Sequence, residues 1–515
     1  MIPLTLAELA AAAGGRLQDA PDPAARVTGD VELDSRRIGP GGLFVALHGE
    51  RVDGHAHAAD AVAAGAVAVL AGRPVGVPAV VVPDVQDALG RLAAAVLGLL
   101  PGIAVVGITG SSGKTSTKDL VAQVLARLGS TVAPPGSFNN ELGHPYTVLR
   151  STMDTRYLVL EYSARGRGHI AALCRIAPPR IATVLNVGSA HLGEFGSRQA
   201  IAAAKGELVE ALPPAAAGGV AVLNADDPLV AAMAARTAAR VVTVGESAGA
   251  EVRAVDVRLD ERGRPAYRLV TPAGAAEVRL GLYGPHHVPN SLAAAAVATE
   301  LGMPLPAVAA ALAEARPLSR WRMEVTERPD GVMVVNDAYN ANPESMRAAL
   351  TALRTMSRGR RSWAVLGQMA ELGADAGAEH EALGRLVARL GVDRVVVVGA
   401  EAAGIERGTT RDESWEGESV HVPDVQAAVR LLRRELRPGD VVLVKASRAA
   451  GLERVALALA GEPTPADAAE PAGERAAAGA VWPAGGAGAA GGAAGAAGSA
   501  GEPTPARGAG PAGVR

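Results

Sequence analysis

The stretch GITGSSGKTSTKDL, residues 107–120, decides how the chain is read. An apolar run ends in a glycine turn, and a Gly-Lys-Thr triplet opens what reads as a helix. In such a turn the backbone N–H groups converge on one point and the helix contributes its positive end. That geometry cradles a phosphate. The spacing departs from the common Gly-x4-Gly-Lys-[Ser/Thr] form: Gly107 falls one residue early and Ile108 takes the expected glycine position. What stands is Thr109-Gly110-Ser111-Ser112-Gly113-Lys114-Thr115. Lys114 would neutralise the β and γ phosphates of a nucleotide, and Thr115 would offer its hydroxyl to Mg2+. Lys118, one turn on, reads as a solvated helix lysine.

Around this loop the pattern is strand, turn, helix. GIAVVGITG, RYLVLEYS and IATVLNVG are near-continuous apolar runs of the kind buried in a parallel sheet, with polar residues just past their C-terminal ends. The uncharged run 92–113 is long enough to span a membrane, but Pro101-Gly102 breaks it, so a helix end followed by a buried strand is expected. EVRAVDVRLDERGRPAYRLV alternates and predicts an antiparallel hairpin. Upstream, LFVALHG and AVAVLAG read as strands, with the helical HAADAVAAG between them. Downstream, GVMVVNDAYN, SWAVLGQM, DRVVVVGA and GDVVLVKAS read as four more buried strands. The expected architecture is α/β in three domains. A small α/β domain covers 1–100, a central parallel-sheet P-loop ATPase domain 101–315, and a C-terminal Rossmann-like domain 316–460. Residues 461–515 collapse into Ala, Gly and Pro, and a disordered tail is expected there.

Composition agrees. A chain of 515 residues suggests roughly three domains at about 150 residues each. Its 50 basic and 53 acidic residues give a net charge of −3 with no basic run, which argues against nucleic acid as partner. Cys174 is the single cysteine, so no internal disulfide forms and a reducing cytoplasm fits. Glu8 and the lack of a basic leader argue against a signal peptide. Only Lys114, Lys118, Lys205 and Lys445 are lysines, leaving 46 of the 50 basic residues as arginine. Where bulk positive charge suffices this chain uses arginine, so a retained lysine is a candidate for chemistry that guanidinium cannot perform. Glu161, at the tip of YLVLE, is placed as a metal ligand, although alone it reads as a surface carboxylate. His191 in NVGSAHLGEFGS should share that sheet edge with Thr115. Lys205 lies in the helical AIAAAKGELVE, where the plain alternative is a salt bridge to Glu207.

Taken together these stretches resemble the Mur ligases of peptidoglycan synthesis. The likeness covers about residues 1–455. It rests on 109–115, the strand-end Glu161, the spacing from Asn186 to His191, and Lys205. DAYNANPESM (337–346) is similar to the signature of the branch that adds D-alanyl-D-alanine. Residues 34–66, VLGQMAELG with His380, and LVKASRAAGLE (443–453) resemble that branch as well. The resemblance implies roles. Ser35 and Arg36 would contact a uridine diphosphate sugar, and Asn139 and Asn140 would face substrate. Asn290, Arg322, Asp337, Tyr339 and Asn340 would take the ATP base and ribose side. Lys445, Ser447 and Arg448 would face the site from the third domain. It also implies that Lys205 is carbamylated, helping His191 hold a second Mg2+ while Thr115 and Glu161 serve the first. Two departures stand out: His287 replaces an asparagine of the family pattern, and KASR replaces KGSR.

The implied reaction is ATP-dependent amide synthesis. A carboxylate is a poor acyl donor, and phosphorylation by ATP gives it a leaving group that an amine can displace. The implied substrates are UDP-N-acetylmuramoyl-tripeptide and D-alanyl-D-alanine, handled by a cytoplasmic monomer with no membrane span. A sister Mur-type or folylpolyglutamate-type ligase is the nearest alternative. A GTP switch is disfavoured because none of the four lysines follows an asparagine. A non-catalytic UDP-sugar-binding scaffold is disfavoured by the intact Gly113-Lys114-Thr115.

Overall fold

A computed structural model describes residues 1–49, 52–188 and 192–462. His191 and the stretch 463–515 therefore lie outside the described residues. Three separate sheets carry the α/β architecture. The first has five strands in the order Arg16–Gln18, Ala79–Val81, Ala68–Ala71, Leu43–Val45, Val31–Glu32, all parallel except the first pair. LFVALHG and AVAVLAG form two of these strands, and the expected helix between them is Ala58–Ala63.

The second sheet has nine strands. Seven run parallel, in the order Thr131–Val132, Tyr157–Glu161, Ala104–Thr109, Ile181–Val184, Val220–Asn224, Arg240–Gly245, Val252–Leu259. Pro265–Thr271 and Gly274–Arg279 then add antiparallel, giving the expected hairpin. Ala104–Thr109 lies between Tyr157–Glu161 and Ile181–Val184, so the winding direction reverses there. Ligands of open α/β sheets bind at such a switch, beyond the carboxyl ends of the strands. Every residue of Ala104–Thr109 and of Tyr157–Glu161 is buried, which is why both read as unbroken apolar runs. Upstream, the run 92–113 resolves into the end of helix Val85–Gly98 followed by strand Ala104–Thr109. Among the described residues no helix is long and apolar enough to cross a membrane.

The third sheet has six strands in the order Glu324–Glu327, Met333–Asn336, Val441–Lys445, Ser362–Leu366, Arg394–Val398, Glu418–Val422, parallel apart from the first. The last strand in sequence, Val441–Lys445, inserts beside Met333–Asn336. Lys445 and Asp337 thus meet at neighbouring strand ends, 2.7 Å apart.

Candidate active site

The phosphate loop leaves Ala104–Thr109 and enters the helix Lys114–Leu125 through Gly113, at φ 81. No side chain caps this helix, so its first N–H groups are available to an anion. Asn186 braces the turn: its Oδ1 accepts from Ser112 N at 2.9 Å and its backbone oxygen from Ser111 N at 3.1 Å. Lys114 Nζ donates to Gly110 O at 2.8 Å, holding the ammonium over the loop. Removal from water lowers its pKa, and the Glu161 carboxylate opposes that shift.

Gly113 is required twice over. Its left-handed φ costs an L residue about 1–2 kcal/mol. An added Cβ would also stand 2.7 Å from Asn290 Oδ1. Gly113→Ala is expected to lower the thermal midpoint by several degrees and to weaken ADP binding by about tenfold or more. Calorimetric titration with ADP checks this, and an unchanged Kd would refute the role given to the turn.

Glu161 is fully buried at the strand tip. Its Oε2 accepts from Thr115 Oγ1 and from Asn139 Nδ2, each at 3.3 Å, while Oε1 has no hydrogen-bond partner. A buried carboxylate with an orphaned oxygen costs several kcal/mol unless a positive charge offsets it. The carboxylate beside the Thr115 hydroxyl, with Oε1 still open, therefore fits a divalent cation, for which hydroxyl and carboxylate oxygens are the natural ligands. Ser137 Oγ lies 2.8 Å from Thr115 Oγ1. Arg322 reaches in from the third-sheet unit, with NH2 3.4 Å from Thr115 Oγ1 and 3.2 Å from Ser137 Oγ and its guanidinium over the Tyr339 ring at 4.2 Å. Arg322 thus sits at the phosphate end, farther along than the base-and-ribose position expected for it.

Lys205, in the helix Arg198–Glu210, is 5 % exposed and makes no hydrogen bond or ion pair among the described residues. Burial drives its pKa well down, and Lys114 adds to the shift. The alternative salt bridge to Glu207 is not formed. Glu207 instead accepts from Gly168 N and Ala171 N, at the start of the helix His169–Ile176.

A cavity of about 150 Å³ runs from the phosphate loop to the third sheet, lined by Gly113, Asn186, Asn224, His286, Asn290, Arg322, Asp337 and Lys445 among others. Asp337 Oδ1 accepts from Met323 N at 3.0 Å, and Lys445 donates to Asn340 O at 2.7 Å. The His286 and His287 rings meet at a tilt of 41° with centroids 4.3 Å apart, and neither Nδ1 has a partner. Burial pushes His286 down to about 4 and His287 well below its usual value, so both are neutral at pH 7.

Other expected residues have local partners of their own. Asn140 Oδ1 accepts from Leu142 N and Gly143 N, closing the turn into the helix Gly143–Val148. Ser447 Oγ accepts from Ala370 N, and Arg448 pairs with Glu453 and covers Trp321. Ser35 and the exposed Arg36 follow the strand Val31–Glu32 of the first sheet, where Arg36 pairs with Asp34 at 2.6 Å. Lys118 is buried, contrary to the solvated position expected of it, because the 316–319 segment folds over it. Ser137, Asp119 and His286 escape the sequence reading. Only Ser137 carried a signal, a Pro-Pro-Gly turn just ahead of Asn139 and Asn140.

A phosphate-cradling switch point, a buried carboxylate beside its threonine and an arginine from a second α/β unit suit an enzyme that works on the phosphates of ATP, and the known proteins this chain resembles make it an ATP-dependent ligase. Family models match three stretches: Mur ligase family, catalytic domain, at 29–97; Mur ligase middle domain at 108–298; and Mur ligase, glutamate ligase domain, at 321–448. The chain belongs to the Mur ligase family. It is 56 % identical over 507 residues to the UDP-N-acetylmuramoyl-tripeptide--D-alanyl-D-alanine ligase of Mycobacterium tuberculosis, covering 90 % of this chain and 99 % of that protein. The Escherichia coli enzyme of the same name is 37 % identical over 466 residues, covering 89 % and 99 %. Among solved structures, MurF from Acinetobacter baumannii superposes with a TM-score of 0.78 at 32 % identity, covering 89 % and 99 %. MurF from Thermotoga maritima in complex with ADP gives 0.72 at 33 % identity, covering 85 % and 98 %.

Proposed function

We propose that this chain joins D-alanyl-D-alanine to the terminal carboxylate of UDP-N-acetylmuramoyl-tripeptide, converting ATP to ADP and phosphate. The observation that carries the reading is the buried Thr115–Glu161 pair with its orphaned oxygen, set at the phosphate loop and faced by Arg322. The relatives that cover 90 % and 89 % of the chain carry the name of that reaction.

The residues divide the work. Lys114 and the uncapped helix N-terminus hold the ATP phosphates, and Arg322 adds positive charge where the phosphoryl group moves. Asn290, Asp337, Tyr339 and Asn340 take the base and ribose. Thr115 and Glu161 would hold one Mg2+, and His191 with a carbamylated Lys205 a second. Bound Mg2+ supplies charge to the phosphate oxygens. The substrate carboxylate attacks the γ phosphorus, and ADP leaves. The dipeptide amine then displaces phosphate from the acyl phosphate and sheds a proton. Residues 1–100, with Ser35 and Arg36, take the UDP-sugar, 101–315 the ATP, and 316–460, with Lys445, Ser447 and Arg448, complete the site. Asn139 and Asn140 shape the acceptor side near Glu161. The reaction belongs to the cytoplasm, and a monomer holds every residue named.

Phosphate release measured with UDP-muramoyl-tripeptide and a panel of amines tests this. Release is expected only when ATP, the tripeptide and D-alanyl-D-alanine are all present. Release with glutamate or a single amino acid in place of the dipeptide would overturn the assignment.

A further inference from the structure

Lys118 lies one turn beyond Lys114 and is 2 % exposed. Three oxygens from three segments surround its ammonium: Asp119 Oδ1 at 2.5 Å, Pro134 O at 2.9 Å and Ser319 Oγ at 3.4 Å. An ammonium has three donors on one compact centre, and here each finds one acceptor. A planar guanidinium is larger and presents its donors in a fork, so it does not match this slot. That accounts for a lysine in a chain that otherwise uses arginine.

Each acceptor leads back to the site. Pro134 starts the segment that delivers Ser137 to Thr115. Ser319 lies in the link between the helix Leu305–Glu314 and the third sheet, and its N–H donates to Asp119 Oδ2 at 2.9 Å. One turn along, the Gln123 amide exchanges two hydrogen bonds with the Arg316 backbone, at 2.9 and 3.0 Å. The link is therefore fastened along the phosphate-loop helix from 316 to 319. Just beyond, Trp321 and Met323 turn at φ 59 and φ 52, a region that bulky L residues rarely enter. Between them Arg322 is directed back to Thr115 and Ser137.

We infer that Lys118 is a positioning residue for phosphoryl transfer, joining the phosphate-loop helix, the 134–137 segment and the inter-domain link so that Arg322 and Ser137 meet Thr115. The inference rests on the ligase reading above. It acts through Arg322, which Lys118 does not touch, and a merely structural lysine would not show that dependence.

The test is a double-mutant cycle on the full chain, read by steady-state phosphate release. Lys118→Met is expected to lower kcat about 100-fold, as small displacements in a preorganised site do. The KM for UDP-muramoyl-tripeptide should stay near its wild-type value. With Arg322→Ala in the background, adding Lys118→Met should cost less than about threefold further, since coupled residues are non-additive. Should Lys118→Met fail to fold, Asp119→Asn carries the same cycle, because it keeps the shape and removes the charge that holds the ammonium. Multiplicative losses in the double variant would overturn the inference while leaving the ligase reading intact. A wild-type chain that releases no phosphate would refute both.

Discussion

Lys205→Arg is expected to lose at least about 100-fold in turnover although it keeps a positive charge. Even groups that only support a metal ligand cost about 10–100-fold when removed, and a lost ligand costs more. A carbamate on Lys205, as proposed, would account for that loss. Lys205 is buried, makes no hydrogen bond or ion pair among the described residues, and burial drives its pKa well down, which shifts the balance toward the neutral amine. A neutral primary amine adds carbon dioxide and releases one proton, leaving an anionic oxygen donor on the same side chain. Guanidinium cannot do this, and an ammonium there would repel a cation held at Glu161. Lys205→Ala should regain part of the rate with a short-chain carboxylic acid that fills the vacated space. Independent of rate, isotope-labelled bicarbonate should give a carbamate carbon resonance in the wild type and none in Lys205→Arg. Full activity in Lys205→Arg, or no such resonance in the wild type, would refute the carbamate.

Two kinds of information separate what the sequence discloses from what it hides. Tyr157–Glu161 and Ala104–Thr109 are visible because each is wholly buried, and a buried parallel strand must be apolar on both faces. The phosphate loop and Glu161 are visible for a related reason: the loop directly follows one strand and Glu161 ends another, so position along the chain fixes position at the sheet edge. Thr131–Val132 is too short to set up a period, and Glu418–Val422, exposed or half-buried over most of its length, alternates too weakly. Val220–Asn224 and Arg240–Gly245 have the apolar pattern but follow Ala-rich stretches that blur their edges.

The contacts that complete the site are of another kind. Arg322 meets Ser137 across 185 positions, and Lys118 meets Ser319 across 201. No local pattern encodes such meetings, because they depend on how one folded unit is laid against another. For the same reason Lys118 reads as a surface residue. Its own helix says only that a charge stands one turn beyond the loop, and the segment that buries it is the link that leads into the next fold unit. Scarcity of lysine was the one trace left in the sequence, since a slot shaped for ammonium resists drift to arginine.

Lys114→Ala is expected to abolish measurable turnover while UDP-substrate affinity stays close to wild type. Lys114 is the ammonium that Gly110 O holds over the phosphate loop, next to the uncapped end of the helix Lys114–Leu125. Charge builds on the transferring phosphoryl oxygens, and a fixed positive group there acts in a site from which water is largely excluded. Removing one such preorganised donor typically costs about 100–1000-fold in kcat, or about 2.7–4 kcal/mol. Here the loss compounds, because Lys114 also contributes to holding the nucleotide itself. Ser35 and Arg36, by contrast, stand on the loop after Val31–Glu32, in a sheet separate from the one that carries the phosphate loop. The alanine leaves that sheet untouched. Single-turnover phosphate release measures the first quantity, and titration of the UDP-tripeptide without ATP measures the second. If UDP-tripeptide affinity fell as steeply as the rate, the division of labour between the two sheets would be wrong. If turnover survived within tenfold, the loop would not be the site of phosphoryl transfer.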